Sequence, residues 1–251
     1  MKKKLLSLVL ALLLALSLIT ALAPPACAAE DYAGVRWWGD FGMRGDWLVA
    51  YRGSGGDITI PNGVPFINSS VFEDNTSITS VTIPDSVSFI GNRAFSGCTN
   101  LTSVTIPDSV TEMNGFTFRG CTNLTSVNIP NSVTRIDIAM FEGCTSLTSV
   151  TIPNSVIEIG YSAFSGCTSL TSITIPNSVT AIRNEAFRDC TSLTSITIPN
   201  SVTKIGHFAF AGCTSLTSIT IPSSVTEIGS SVFYNCTSLA NVSLPKKCKN
   251  W

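Results

Sequence analysis

The sequence predicts an α/β solenoid in which each 23-residue coil carries one parallel β-strand and one short helical or 3₁₀ segment. The first observation is a proline that follows an aliphatic residue every 23 residues, at Pro61, Pro84, Pro107, Pro130, Pro153, Pro176, Pro199, Pro222 and Pro245. The second is that phenylalanine and cysteine keep the same period, as at Phe95, Phe118, Cys98 and Cys121. Because so short a unit cannot bury its own apolar side chains, neighbouring units must stack and share one core.

The strand of each coil is visible in the unit that starts at Leu101. Leu101, Val104 and Ile106 are apolar and are expected to face the core. Ser103 and Thr105 alternate with them and are expected to face solvent, which is the period of a strand with one buried face. The proline that follows ends the strand.

The helical segment is predicted from the I-G-x-x-A-F-x-G-C part of the unit. Ile90, Ala94, Phe95 and Cys98 lie at i, i+4, i+5 and i+8, a spacing that places them on one face of a short helix or 3₁₀ turn. A β-helix is the alternative architecture, and it requires additional strands where this segment lies.

The repeated unit resembles a known family. The pattern L-T-S-I-T-I-P-N-S-V-T-x-I-G-x-x-A-F-x-G-C-T-S, which recurs from about Ile58 to Pro245, is similar to the 23-residue leucine-rich repeat of BspA-like bacterial surface proteins. The resemblance implies a curved leucine-rich solenoid on a secreted or surface-exposed protein. It also implies a protein ligand, since some relatives bind host extracellular-matrix or plasma proteins, and it implies no catalytic residue.

The chain divides into four parts. Residues 1–28 read as a signal peptide, because three lysines precede the apolar run Leu5 to Ala23 and a small-x-small cleavage signature follows. Residues 29–57 are predicted to cap the first coil, with a hairpin in this segment. Residues 58–245 are predicted to form the solenoid, with about eight repeats, and residues 246–251 a basic tail. No second long apolar segment exists, so we expect no transmembrane segment after cleavage and a secreted or cell-surface protein.

Composition argues against several classes of function. The full chain has 15 Lys and Arg against 16 Asp and Glu, which gives no electrostatic footprint for nucleic acid. The chain has nine cysteines but only one histidine, a composition that does not suit most metal sites or histidine-based catalytic sites. His207 reads as a solvent-facing variable residue. We therefore predict no cofactor, no metal and no enzymatic activity.

The periodic cysteines allow three interpretations. Zinc requires clustered ligands such as C-x-x-C with histidine, and the sequence has none. Disulfides between neighbouring coils require a specific geometry, and seven ladder members leave one unpaired. Buried thiols that fill small apolar spaces are the favoured interpretation. Cys248 lies outside the ladder.

Three features are candidate protein-binding sites. The first is the polar strand face, with Ser149, Thr151, Ser172 and Thr174 among its members. Its alternative role is to solvate the sheet.

The second feature is a set of residues at positions that are small or polar in other coils: Phe116, Ile138, Tyr161 and Phe208. Exposed aromatic residues mark partner sites, and packing at the outer corner of the solenoid is the alternative. The third is Arg44-Gly45-Asp46 between two predicted hairpin strands. This tripeptide resembles integrin ligands, although Gly-Asp is also ordinary turn chemistry.

The sequence therefore favours a repeat scaffold that mediates protein–protein interaction, with adhesion to host extracellular proteins as the leading function. A structural envelope component that self-associates at the solenoid end, without a host ligand, is the alternative. An extracellular hydrolase is a remote alternative for which no residues can be named.

Overall fold

The fold is a β-solenoid of about 9 turns, shown by a computed structural model that describes residues 34–244. The predicted signal peptide, the basic tail, Cys27 and Cys248 lie outside the described residues. Within residues 34–244, no helix has the length and apolar character needed to cross a bilayer.

The N-terminal segment forms three strands that join the solenoid. They are β1 (Arg36–Trp38), β2 (Phe41–Arg44) and β3 (Trp47–Tyr51). β1 pairs antiparallel with β2, and β2 pairs antiparallel with β3 across the turn at Gly45 and Asp46. Trp47 and Leu48 of β3 then align in parallel with Phe66 and Ile67 of the first coil. The first short strand of the solenoid therefore has a paired neighbour on its N-terminal side.

One ladder of the solenoid contains the predicted strands. Its members are β4 (Gly56–Thr59), β6 (Ile78–Thr82), β8 (Ser103–Thr105), β10 (Ser126–Asn128), β12 (Ser149–Thr151), β14 (Ser172–Thr174), β16 (Ser195–Thr197), β18 (Ser218–Thr220) and β20 (Asn241–Ser243). We call it the long-strand ladder. Its strands are parallel and pair as β4-β6-β8, β10-β12, β14-β16 and β18-β20. The register shifts once, between Gly56 and Asp57 where β4 pairs with β6. In the unit that starts at Leu101, Ser103 and Thr105 are exposed and Ile106 is buried, as predicted.

A second ladder, the short-strand ladder, was not predicted from the sequence. It consists of two-residue strands: β5 (Phe66–Ile67), β7 (Phe89–Ile90), β9 (Glu112–Met113), β11 (Arg135–Ile136), β13 (Glu158–Ile159), β15 (Ala181–Ile182), β17 (Lys204–Ile205) and β19 (Glu227–Ile228). The first residue of each strand is exposed in four coils, partly buried in three and buried in one, whereas the second is buried in all but the last. Each coil therefore has two short parallel strands rather than one.

The predicted helical segment is wrong. Residues 34–244 contain no helix, and the A-F-x-G-C segment is a series of turns. In one coil the N–H groups of Arg93, Phe95 and Gly97 donate to carbonyls of the next coil at 3.1, 3.0 and 2.7 Å, so they cannot form intrahelical bonds. A φ of +57° at Arg93 and +72° at Gly97 also lies outside the right-handed helical region. The residues assigned to the helix face, Ile90, Ala94, Phe95 and Cys98, are nevertheless all buried.

The core is a continuous stack of phenylalanine rings. Neighbouring rings lie with their centroids 4.9 to 6.0 Å apart and their planes within 2 to 11° of parallel. The stack contains Phe72, Phe95, Phe118, Phe141, Phe164, Phe187, Phe210 and Phe233. Offset ring stacking adds to the free energy gained by burying these side chains.

The cysteine ladder lies beside this stack. Each thiol donates a hydrogen bond to the phenylalanine carbonyl of the preceding coil, with Sγ···O distances of 3.0 to 3.2 Å. The seven cysteines of the described chain are free, which confirms the buried-thiol interpretation for six of them. Cys236, in the last coil, is only partly buried.

Candidate functional site

The polar strand face, the first candidate site predicted from the sequence, is exposed and regular. Ser149, Thr151, Ser172 and Thr174 all face solvent from β12 and β14. The residue between each pair is buried, so the strands present only their polar side. Because successive coils offer nearly the same hydroxyl groups, this face carries little information that could distinguish one partner from another.

The four variable residues occupy two adjacent positions of the 23-residue register. Ile138 and Tyr161 share one position in successive coils, and their relative exposures of 38% and 47% are high for apolar side chains. Phe116 and Phe208 share the next position and are half-buried. The structure thus brings Ile138 and Tyr161 together in one row and places the two phenylalanines beside that row.

Phe116 and Phe208 have an unusual backbone conformation. Their φ values are +61° and +55°, a region that bulky L-residues rarely occupy. The equivalent residue has a positive φ in the other coils as well, including Arg93 and Ala139, so the turn imposes the conformation. The Phe116 ring lies beneath the guanidinium groups of Arg93 and Arg119, at 5.2 and 6.0 Å from the centroid.

The register position of Ile138 and Tyr161 continues along the solenoid as a row that we call the outer row: Ile138, Tyr161, Asn184, His207 and Ser230. Asn184 Oδ1 accepts a hydrogen bond from the backbone N–H of His207 at 3.0 Å. His207 Nδ1 in turn accepts from the backbone N–H of Ser230 at 2.9 Å. Since Nδ1 is an acceptor, the neutral imidazole carries its proton on Nε2.

A groove of about 220 Å³ lies beside the outer row, and we call it the row groove. Its lining includes the ring of Tyr161 and the polar side chains of Arg183, Asn184, Lys204, His207 and Glu227. Glycine at this position lets neighbouring coils approach closely. A Cβ on Gly206 would lie only 2.3 Å from the backbone nitrogen of Asn184. Gly229 is equivalent, with a Cβ position 2.2 Å from the nitrogen of His207. The coils therefore approach each other closely here.

Arg183 occupies the register position of Gly160, Gly206 and Gly229, and sequence reasoning missed it. The signal was present, since the 23-residue alignment shows a large cation at a position held by glycine in four other coils, including Gly91. The Arg183 guanidinium donates to Glu158 at 2.6 Å, and Arg135 donates to the same carboxylate at 2.9 Å.

The Glu158 carboxylate is held ionised by these contacts. The hydrogen bond from Arg183 is the main cause that lowers the pKa of Glu158, with the charge of Arg135 adding to the effect and burial opposing it. The same hydrogen bond raises the pKa of Arg183. One coil further on, Lys204 and Glu227 form an exposed ion pair at 2.8 Å.

The Arg44-Gly45-Asp46 tripeptide lies at the turn between β2 and β3, and all three residues are exposed. Gly45 has a φ of +59°, which explains glycine at this position. Trp47, the next residue, is 38% exposed and was not singled out from the sequence. Its ring packs against Phe66, with the centroids 4.9 Å apart.

The last described coil exposes part of the core. Phe233, Cys236 and Leu239 are only partly buried, whereas their equivalents in the preceding coils are fully buried. Val242 and Leu244 are 41% and 44% exposed, although their equivalents are buried in all the preceding coils except at Val104, which is partly buried. We call these five residues the end face. Across residues 34–244, no cluster of three or more His, Cys, Asp or Glu side chains could hold a metal ion.

Comparison with known proteins identifies the repeat. The sequence model described as BspA type leucine rich repeat region matches residues 51–171 and 157–251, in 6 copies. The fold is similar to a leucine-rich repeat protein from Bacteroides ovatus, with a TM-score of 0.59 and 28% identity over 86% of this chain and 68% of that chain. It is also similar to a leucine-rich repeat protein from T. pallidum, with a TM-score of 0.56 and 30% identity over 79% of this chain and 86% of that chain. Among curated proteins, no sequence matches this chain.

Proposed function

Because the chain belongs to the BspA type leucine-rich repeat family, we propose that it is a non-enzymatic scaffold that binds extracellular proteins of a host. The observation that carries the proposal is the pair of exposed apolar side chains at Ile138 and Tyr161, which share one register position in successive coils. Ile157 and Tyr234 are also exposed, at 51% and 68%, but each lies at a different register position. A regular array offers many similar weak contacts, so selectivity must come from residues that depart from it. A few residues carry most of the binding energy of a protein interface, and tyrosine is enriched among them.

The proposed place of action is outside the cell. The support is the sequence of residues 1–28, in which a basic start, an apolar run and a small-x-small cleavage signature follow one another. Expression of the full chain in a bacterial host, followed by N-terminal sequencing of the exported protein, tests this part. Cleavage after Ala28 is the expected result, and retention of the uncleaved protein in the cytoplasm contradicts it.

The interaction is tested by capture. The protein that starts after Ala28 is immobilised and incubated with plasma and with an extracellular-matrix extract, and the retained proteins are identified by mass spectrometry. A variant with Ile138→Ser and Tyr161→Ser is the matched control, because both side chains are exposed and their removal leaves the phenylalanine stack intact. A protein retained by the wild type and lost with the variant supports the proposal.

The hairpin tip is a second contact candidate within the same proposal. Arg44, Gly45 and Asp46 are exposed at a turn, which is the arrangement in which this tripeptide resembles an integrin ligand. Asp46→Glu keeps the charge but changes the reach of the carboxylate. If the ligand is an integrin, this substitution abolishes capture, and equal capture by both proteins removes the tripeptide from the proposal.

The end face favours a second function, which is self-association in the envelope. In the last described coil Phe233 and Leu239 are partly buried and Val242 and Leu244 are exposed, whereas most of the preceding coils bury the equivalent residues. Association of two end faces would bury this apolar surface. Sedimentation at increasing concentration tests the idea. We expect dimers that Val242→Lys disrupts, and a monomer at all concentrations contradicts it.

A further inference from the structure

The row groove is rich in hydrogen-bond donors. The amide oxygen of Asn184 and Nδ1 of His207 already accept backbone hydrogen bonds, so each side chain offers its remaining N–H groups to the groove. Arg183 uses its Nη2 group on Glu158. Its Nε is buried without a hydrogen-bond partner in the described residues and is not accessible to a ligand, so Nη1 is the donor group that remains for the groove. A ligand suited to this groove must therefore supply acceptors.

The charges around the groove also favour a ligand that supplies hydrogen-bond acceptors. Among the side chains that line the groove, Arg183 and Lys204 are positively charged and Glu227 is negatively charged. Glu158 does not line the groove and is already paired with Arg135 and Arg183. The Glu227 side chain is 63% exposed, so its ion pair with Lys204 is screened by water and can rearrange at little cost. The excess positive charge lies beside donors that match a carboxylate.

The Tyr161 ring forms the apolar wall of the groove. It is 47% exposed, and its centroid lies 6.0 Å from the guanidinium carbon of Arg183. An aromatic surface beside a guanidinium suits a ligand in which an anionic group is joined to an aliphatic stem. A glutamate or aspartate side chain on an extended segment has this chemistry, and the exposed Ile138 extends the apolar surface along the row.

From these contacts we propose that the row groove binds the carboxylate of an acidic side chain of the protein partner, with Arg183 as its main ligand and His207 Nε2–H and the Asn184 amide as further donors. The inference rests on the proposed function and specifies what the outer row recognises. Tyr161 contacts the aliphatic stem of the acidic side chain. The Tyr161 ring and the donors of the row groove therefore form one site that recognises an apolar stem and a negative charge together.

The experiment uses the single histidine of the sequence as a reporter, because His207 lines the groove. The imidazole resonances of the protein are followed by NMR at constant pH while a blocked Glu-Ser-Glu-Ser peptide is added. We expect a saturable shift, at least tenfold weaker binding in Arg183→Gly, and loss of the response at high salt. Glycine is suitable because it occupies the same position in neighbouring coils. The Gln-Ser-Gln-Ser peptide is expected to give no shift.

Two controls separate the outcomes. Arg119→Ala removes another arginine that is paired with a glutamate at 2.6 Å, and it should leave the peptide response unchanged. Glucuronate tests a carboxylate from a sugar, and tighter binding of glucuronate than of the peptide overturns the assignment to a protein side chain. An equal response to the glutamine peptide, or an unaffected response in Arg183→Gly, also overturns it. These measurements do not depend on capture of a host protein, so the two proposals fail separately.

Discussion

The thiol of Cys167 donates a hydrogen bond to the backbone carbonyl of Phe141 in the preceding coil, with Sγ and O 3.2 Å apart. The same carbonyl accepts the N–H of Cys144 at 3.1 Å within its own coil. One buried carbonyl is thus satisfied both from its own coil and from the next, which couples the two periodic residues of the sequence. Serine could also donate here, but its more polar hydroxyl would be more costly to bury than a thiol.

The first prediction concerns thiol reactivity. Burial raises the pKa of Cys144 and Cys190 to about 12, so almost no thiolate forms at neutral pH. Cys236 is only partly buried. With a thiol reagent and mass spectrometry, we expect Cys236 to be the first of the described cysteines to react in the native protein. All of them react in denaturant, and disulfides between neighbouring coils would contradict the structure.

The second prediction concerns the core. Phe164 is fully buried between the rings of Phe141 and Phe187, with both centroids 5.4 Å away. Phe164→Ala should lower the free energy of unfolding by about 3–5 kcal/mol, measured by urea denaturation. Ser172→Ala on the exposed strand face is the control and should change it by less than about 0.5 kcal/mol. Equal stabilities of the two variants would refute the assignment of the faces.

The third prediction concerns the acid stability supplied by Glu158. Since hydrogen bonding from Arg183 lowers its pKa, the ionised carboxylate stabilises the fold above the usual value of 4.5. This contribution is lost as the pH falls through the lowered folded-state pKa. Glu158→Gln should therefore reduce the free energy of unfolding at pH 7 by about 1 kcal/mol, and the difference between wild type and variant should disappear as the pH falls through the lowered pKa of Glu158. A difference that is independent of pH would exclude this role.

The sequence predicted the long-strand ladder because Ser103, Val104 and Thr105 show the alternation of a half-buried strand. It could not predict the short-strand ladder, since two residues such as Glu158 and Ile159 are too few to show a period. The helical spacing of Ala94, Phe95 and Cys98 reflected burial on one side of a turn. The backbone N–H groups that a helix would use donate instead to carbonyls of the next coil. Local sequence does not reveal these hydrogen bonds between coils.

The candidate site was predictable in part. Ile138 and Tyr161 stood out because they depart from a regular pattern, and the structure places them in one exposed row. Arg183 was not recognised because its contacts with Tyr161 and Glu158 form only when the coils stack. Contacts between coils arise at a separation of about one period, and the sequence shows them only after alignment of the units.

The last prediction concerns where binding energy lies. Ile138→Ser combined with Tyr161→Ser should weaken binding of a captured host protein at least tenfold, or by about 1.4 kcal/mol. The reason is that an exposed apolar side chain loses its contact area with the partner, while the core of the free protein is unchanged. Affinity is measured by surface plasmon resonance, and the free energy of unfolding should fall by less than about 0.5 kcal/mol.

The strand face supplies the competing expectation and the control. Thr151→Lys and Thr174→Lys place bulky charged side chains on that face without entering the core, because both threonines are exposed. If the outer row is the site, the two lysine substitutions leave the affinity within about twofold of the wild type, which is about 0.4 kcal/mol. The opposite pattern, with unchanged affinity in the serine variant and loss in the lysine variant, would place the partner on the long-strand ladder. In that case the regular hydroxyl array, rather than the departures from it, would carry recognition.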